Sequence, residues 1–193
     1  MNMWSILAEN FDLPILDWIA ANLWNPVLDV LMPLITLLGD AGIFWIAIAV
    51  VLLCTKKYRK VGLGMAIAMA IGLLVCNVTL KPLVMRPRPY DYQADVFQKI
   101  IPLLVEKQHD FSFPSGHTIA SFEACTVMML GSKKLGIPAT LLAILIAFSR
   151  LYLYVHYPTD VIASVILGTL FGVLGYLISH KITFSTKGKF LKK

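Results

Sequence analysis

Two histidines in this sequence stand beside groups that could make them reactive. His156 precedes Asp160 by four residues, with Pro158 between them. Because proline is favoured at the first position of a helix, we expect Asp160 in the first helical turn and His156 just before it. A carboxylate in that place can accept a hydrogen bond from one imidazole nitrogen, which leaves the other nitrogen as a nucleophile. His117 is separate in sequence and could protonate a leaving oxygen.

The other polar residues near these histidines suit an anion, and in particular a phosphate. Arginine has a planar fork of donors that matches phosphate oxygens, and lysine adds a point charge. Ser115 and Gly116, at a predicted helix start, offer free backbone N–H groups and the positive end of a helix dipole. The predicted phosphate-binding cations are Lys81, Arg88 and Arg150. No carboxylate-rich cluster suggests magnesium, so we expect the cations to neutralise the phosphate and predict neither metal nor cofactor.

The composition indicates that the elements positioning these residues lie in a membrane. The chain has 193 residues, of which 58% are hydrophobic and 15% charged, against about 45–50% and about 25% in soluble domains. A membrane-spanning helix needs about 20 apolar residues. Six stretches approach this length: 24–38, 41–54, 61–80, 118–131, 135–149 and 157–179. We predict an all-α polytopic membrane protein, with about six transmembrane helices in one bundle and a single membrane-embedded domain over residues 1–193.

Three segments flank the predicted spans. Within residues 1–24, the part from 13 to 24 either continues the first span through a kink or lies in the membrane interface, and the sequence leaves both open. Residues 90–113 form the one long polar connection, whose apolar face predicts an outer loop lying on the membrane surface. Residues 181–193 form a basic tail.

The positions of the basic residues predict how the chain is oriented. Clusters at 56–60, at 133–134 and in the tail fall on one side of a six-span bundle, and lysine-rich loops stay in the cytoplasm. Both termini are then cytoplasmic, and the histidines face the outside of the plasma membrane. This topology accounts for the net charge of +6, so we predict no nucleic-acid partner. The oligomeric state is left open.

The reactive residues fall into three blocks that resemble a known signature. The blocks read Lys81-x6-Arg88-Pro89, then Pro114-Ser115-Gly116-His117, then Ser149-Arg150-x5-His156-x3-Asp160. They match without a mismatch the tripartite signature of the type 2 phosphatidic acid phosphatase superfamily, and the resemblance extends over roughly residues 39–179. The superfamily includes lipid phosphate phosphatases, bacterial phosphatidylglycerophosphate and undecaprenyl pyrophosphate phosphatases, glucose-6-phosphatases and vanadium haloperoxidases.

The resemblance implies a role for each matched residue. It makes His156 the nucleophile, oriented by Asp160, and His117 the general acid and later the base for the attacking water. The residues that it implies as binding the phosphoryl group are Lys81, Arg88, Ser115, Gly116 and Arg150. The phosphatase branch needs no metal.

The expected substrate is a lipid phosphate or pyrophosphate in the membrane. Small, outward-facing bacterial members of the superfamily commonly act on such lipids, so the resemblance favours undecaprenyl pyrophosphate as the substrate. The alternative is phosphatidylglycerophosphate or phosphatidic acid. A vanadium haloperoxidase and a non-catalytic lipid-binding membrane protein are more distant hypotheses. Two residues have no settled role: Arg86 is expected at the membrane interface or against phosphate, and Glu123 as a packing partner or near the lipid tail.

Overall fold

The computed structural model describes residues 3–182, and all their regular elements are helical. Short π-helical segments at Ala8–Asp12 and Leu73–Leu80 and a 3₁₀ turn at Asp40–Gly42 join some of the helices. The α-helices are α1 (Met3–Leu7), α2 (Leu13–Leu23), α3 (Pro26–Leu37), α4 (Ile43–Cys54), α5 (Arg59–Gly72), α6 (Lys81–Val84), α7 (Pro89–Phe97), α8 (Gly116–Gly131), α9 (Lys133–Tyr152) and α10 (Pro158–Lys181).

Helices α4, α5, α8, α9 and α10 pack together as a bundle around an apolar core. Small residues allow the closest approach, because a Cβ on Gly175 of α10 would lie 2.4 Å from the carbonyl oxygen of Gly64 on α5. Such small-residue contacts are typical of helices that associate within a membrane. The helical segments long and apolar enough to cross a membrane are Pro26–Cys54, Arg59–Phe97, Lys133–Tyr152 and Pro158–Lys181.

The bundle has two distinct ends. At one end, which we call the site end, α8 and α10 begin and α9 stops, so that the histidine-bearing segments lie together. At the other end, which we call the basic end, α4 and α10 finish and α5 and α9 begin. The chain therefore crosses the bundle in alternating directions through these five helices.

The prediction of a separate span at 24–38 is not supported by the contacts of α3. Near its start, Asp29 accepts a hydrogen bond from the Tyr152 hydroxyl at 2.6 Å, and Thr36 near its end accepts one from Arg150 at 2.6 Å. Both contacts are with the last turn of α9, at the site end. Hydropathy alone could not reveal these contacts of α3 with α9.

The N-terminal helices also lie at the site end. Buried side chains of α2, including Leu16 and Ile19, pack against the segment after α9, and Trp24 donates a hydrogen bond to the Tyr152 carbonyl at 2.9 Å. Residues 13–24 thus pack against the site end of the bundle. The described N-terminal residues lie at the site end, and the end of α10 lies at the basic end. The tail from residue 183 lies outside the described residues.

Candidate active site

A cavity of about 570 Å³ opens at the site end, and each of the three blocks contributes residues to its lining. Six of the eight predicted site residues line this cavity: Lys81, Arg88, Gly116, His117, Arg150 and His156. Ser115 and Asp160 lie behind the lining and are fully buried. The fold therefore brings together residues separated by as much as 79 positions in the sequence (160 − 81).

His156 presents one ring nitrogen to the cavity and turns the other towards a carboxylate. Its Nε2 lies 3.3 Å from Nη1 of Arg88, while its Nδ1 lies 3.5 Å from Oδ2 of Asp160. The side chain is buried in the turn between α9 and α10. Burial, and then the positive charges of Arg88, Arg150 and Lys81, hold the pKa of His156 well below its usual value. Both effects favour the neutral imidazole, which is the form that can act as a nucleophile.

Asp160 lies in the first turn of α10, as the sequence predicts, and has more partners than the sequence indicated. Its Oδ2 accepts hydrogen bonds from the backbone of Tyr157 at 3.0 Å and from the Ser112 hydroxyl. Its Oδ1 accepts one from Nη1 of Arg86 at 2.5 Å. The carboxylate beside His156 is thus held from three sides.

Arg86 is fully buried, although the sequence favoured a place at the membrane interface. Its second terminal nitrogen donates to Asp12 at 2.6 Å, and its guanidinium lies 3.7 Å from the ring centroid of Tyr157 and 4.7 Å from that of Trp4. Arg86 therefore joins Asp160 to the N-terminal helices. Proximity in sequence could not reveal this link, because Asp12 lies 74 residues away.

The cations of the cavity are fixed by oxygens of the protein. Arg88 donates to the carbonyl of Val155 at 2.8 Å and to that of Asp110 at 3.0 Å, and Arg150 donates to Thr36. These bonds orient the guanidinium groups towards the cavity before any ligand binds. Preorganised cations of this kind stabilise developing negative charge without a cost of reorganisation.

Asp110, which the sequence did not single out, forms ion pairs with both Lys81 and Arg88. Burial alone would raise the pKa of this carboxyl group, but the hydrogen bond from Lys81 and the charge of Arg88 outweigh it and lower the pKa to about 2. The carboxylate is half-exposed and lines the cavity. A negative group therefore lies where these two cations could otherwise meet a phosphate.

His117 also has a carboxylate partner. Its Nε2 lies 2.7 Å from Oδ1 of Asp40, which belongs to the turn between α3 and α4. Gly39 makes room for the ring, because a Cβ there would lie 2.6 Å from Cδ2 of His117. No sequence signal pairs Asp40 with this histidine, since acidic residues are common in turns between helices.

The start of α8 holds Ser115 in a buried hydrogen-bond network and places Gly116 at the cavity. The backbone N–H of Ser115 donates to the hydroxyl of Ser164 at 2.8 Å, and the Ser115 hydroxyl accepts from Thr118 at 3.0 Å. Gly116 lines the cavity with the first turn of α8. Ser115 is therefore engaged by protein partners in this structure, whereas Gly116 faces the cavity.

The cavity continues from the polar residues into an apolar groove between α4, α5 and α8. Ala49, Val50 and Ala66 border this part, some distance along the helices from the histidines. Glu123 also lines it, buried beside Gly72 with Oε1 lacking a hydrogen-bond partner among the described residues. Within residues 3–182, no group of three or more His, Cys, Asp or Glu side chains is arranged to hold a metal ion.

A helical bundle of this kind, with a cationic cavity around two histidines and an apolar extension, defines a class of membrane protein suited to bind the phosphate of a lipid. The family model that matches residues 57–184 is that of the PAP2 superfamily, and the chain belongs to this superfamily.

Named phosphatases are among its relatives. The chain is 33% identical over 135 residues to an undecaprenyl-diphosphatase of Sulfolobus acidocaldarius, covering 69% of this chain and 63% of that protein. It is 30% identical to the undecaprenyl-diphosphatase BcrC of Bacillus subtilis, covering 80% of this chain and 77% of that one. The alignment thus spans less than two thirds of the Sulfolobus protein.

A solved structure shares the fold over almost the whole chain. The crystal structure of a transmembrane PAP2-type phosphatidylglycerolphosphate phosphatase from Bacillus subtilis superposes with a TM-score of 0.69 and 27% identity. The match covers 93% of this chain and 94% of that one. Its similarity therefore includes the N-terminal helices, which the family model does not reach.

Proposed function

We propose that this chain hydrolyses a lipid phosphate or pyrophosphate through a phosphohistidine on His156, without a metal. The observation that carries the proposal is the placement of a neutral His156, with Nε2 against Arg88 in the cavity and Nδ1 towards Asp160. The carboxylate favours the tautomer with a proton on Nδ1, which leaves the lone pair of Nε2 for attack. Arg88, Arg150 and Lys81 supply the positive charge that a metal would otherwise provide.

In the first step, Nε2 of His156 forms a bond to phosphorus while the bond to the leaving oxygen breaks. His117, which borders the same cavity, donates a proton to that oxygen, and the lipid product leaves. In the second step His117 takes a proton from water, whose oxygen attacks phosphorus. The P–N bond then breaks, inorganic phosphate is released and His156 is restored.

Undecaprenyl pyrophosphate is the proposed substrate, and its product would be undecaprenyl phosphate. The names of two relatives support this choice, and the apolar groove beyond His117 suits the first part of a long hydrocarbon chain. Phosphatidylglycerophosphate is the second candidate, supported by the structural similarity to the Bacillus subtilis phosphatidylglycerolphosphate phosphatase.

The proposed location is the plasma membrane, with the site end outside the cell. The lysine-rich segments at 56–60 and 133–134 lie together at the basic end, and lysine-rich loops stay in the cytoplasm. The described N-terminal residues would then be outside and the end of α10 inside, so that the described bundle crosses five times.

Phosphate release by detergent-solubilised protein tests the proposed activity. The protein is given undecaprenyl pyrophosphate, phosphatidylglycerophosphate and phosphatidic acid in parallel, each with EDTA. Release from the first that exceeds release from the others supports the proposal. A preference for either glycerolipid would replace the substrate but keep the chemistry, and activity that needed added magnesium would overturn the metal-free mechanism.

A further inference from the structure

A second cavity, of about 810 Å³, lies at the basic end of the bundle. It lies between the loop that joins α4 to α5, the short connection from α8 to α9 and the last turns of α10. Six of the residues that line it carry a positive charge: Lys56, Lys57, Arg59, Lys60, Lys133 and Lys134. This cavity is separate from the phosphatase site and shares no lining residue with it.

The segments that line this cavity contain no Asp or Glu. The sequence contains eleven Asp and Glu residues, but none occurs in 41–90, 124–159 or 161–193, which include every residue that lines it. Among residues 3–182, no carboxylate forms an ion pair with Lys56, Lys57, Lys133 or Lys134. Positive charges confined to a concave surface without counter-charges attract an anion from outside the chain.

The backbone adds to the same field. Helices α5 and α9 begin beside this cavity, and neither has an acidic residue in its first turn or a side-chain cap. The partial positive charges of both helix starts therefore reinforce the lysine charges. Two contacts fix the wall of this cavity. Lys60 donates a hydrogen bond to the carbonyl of His180 at 3.2 Å, and the ring centroids of His180 and Tyr176 lie 4.0 Å apart.

The surroundings of this cavity suit an anion that carries hydrocarbon chains. Leu130 on α8, and Leu177 and Ile178 on α10, are exposed apolar side chains that lie one or two residues from the lining residues Gly131 and Tyr176 in the sequence. Basic cavities between membrane helices on the cytoplasmic side typically bind phospholipid head groups. We infer that this cavity binds the head group of an anionic phospholipid, whose acyl chains lie along α8 and α10.

This inference is tested by lipid binding rather than by turnover. Detergent-solubilised protein is titrated with phosphatidylglycerol, with phosphatidylcholine as the uncharged reference, and bound lipid is counted by native mass spectrometry. The test variant is K133Q/K134Q. The matched control is K99Q/K107Q, which removes the same charge at the site end, where both lysines are exposed.

We expect K133Q/K134Q to weaken phosphatidylglycerol binding by about tenfold or more, and the control to change it by less than about twofold. Lipid that binds in the phosphatase site is common to both variants and cancels in the comparison. If K133Q/K134Q does not fold, as judged by its melting temperature, K56Q/K57Q removes two other charges from the same cavity.

Three results would overturn the inference. Equal affinity in the wild type and both variants would show that the cavity holds no lipid. Equal binding of phosphatidylcholine would show that charge does not direct binding. Displacement of phosphatidylglycerol by an equal concentration of inorganic phosphate would identify a site for free anions instead of lipid.

Discussion

At the scale of single residues, the site depends on a histidine that must remain neutral in a strongly positive cavity. Burial disfavours the charged form of His156, and the neighbouring cations disfavour it further. The same cations attract the phosphate. In the proposed mechanism, one set of charges therefore both binds the substrate phosphate and keeps His156 available as the nucleophile.

The first prediction concerns stability in acid. The pKa of His156 in the folded protein lies below its unfolded value of about 6.5. The unfolded chain therefore binds a proton more readily, so the stability that this residue contributes is present above about pH 6.5 and is lost as the pH falls below that value. In a series of melting temperatures against pH, H156N should flatten the decline between about pH 6.5 and pH 4.5.

H109Q is the matched control for this series, because His109 is exposed and lies outside the cavity lining. It should leave the decline unchanged. An unaltered decline in H156N would mean that other groups cause the loss of stability in acid.

The second prediction concerns Asp110 as an internal competitor. Its carboxylate pairs with Lys81 and Arg88, which the substrate phosphate is also proposed to engage. D110N should lower KM for a lipid phosphate several-fold and leave kcat within about twofold, because both the bound substrate and the transition state gain equally. Steady-state kinetics and inhibition by inorganic phosphate measure both effects.

D91N serves as the control, because Asp91 pairs with Lys107 away from the cavity. A higher KM in D110N would instead make Asp110 a residue that holds Lys81 and Arg88 in place for the substrate.

At the scale of elements, the N-terminal helices support the active site from behind. Asp12 accepts from Arg86 and from the hydroxyl and backbone of Thr159, so it connects the start of α2 to the first turn of α10. These groups are buried, where the energy of a charged hydrogen bond depends strongly on geometry. The position of Asp160 therefore depends on a segment outside the three motif blocks.

The third prediction follows from this connection. D12N should lower kcat by about tenfold with little change in KM, because a displaced Asp160 orients His156 less well but binds no substrate. D12E, which keeps the charge, should recover part of the lost rate. E9Q is the control, since Glu9 lies on the same helical segment but accepts a hydrogen bond from the Tyr92 hydroxyl. Loss of stability in D12N with an unchanged kcat would show that Asp12 stabilises the fold but does not position Asp160 for catalysis.

How much the sequence predicts differs between elements. Pro158 starts α10 and puts Asp160 in its first turn, because these preferences are local. Residues 24–38 are as apolar as a span, yet Asp29 and Thr36 of α3 both accept hydrogen bonds from the last turn of α9 at the site end. The partners Asp12, Asp40 and Asp110 could not be predicted, because each meets its histidine or cation only through tertiary packing.

At the scale of the whole molecule, charge is divided between the two ends of the bundle. Acidic side chains accompany the cations at the site end, whereas the described residues that line the basic end include no Asp or Glu. Because lysine-rich loops stay in the cytoplasm, this division predicts the proposed orientation, with the basic end inside the cell.

The fourth prediction tests that orientation. Single cysteines replace Ala94, Met3 or Lys57, all exposed, in a chain whose three native cysteines are removed. A membrane-impermeant maleimide applied to intact cells should label positions 94 and 3 and spare position 57. Labelling of position 94 without position 3 would place the N-terminal residues in the cytoplasm and indicate a sixth crossing. Labelling of position 57 alone would place the active site in the cytoplasm.

The central claim is that His156 carries the phosphoryl group during turnover. Substrate labelled with ³²P in the terminal phosphate is mixed with H117A, in which the second step should be slow, and the reaction is quenched in alkali, where phosphohistidine survives. We predict that the label is found on the peptide that contains His156 and is absent from H117A/H156A. Label on another residue, or phosphate release by H156A at the wild-type rate, would contradict the account.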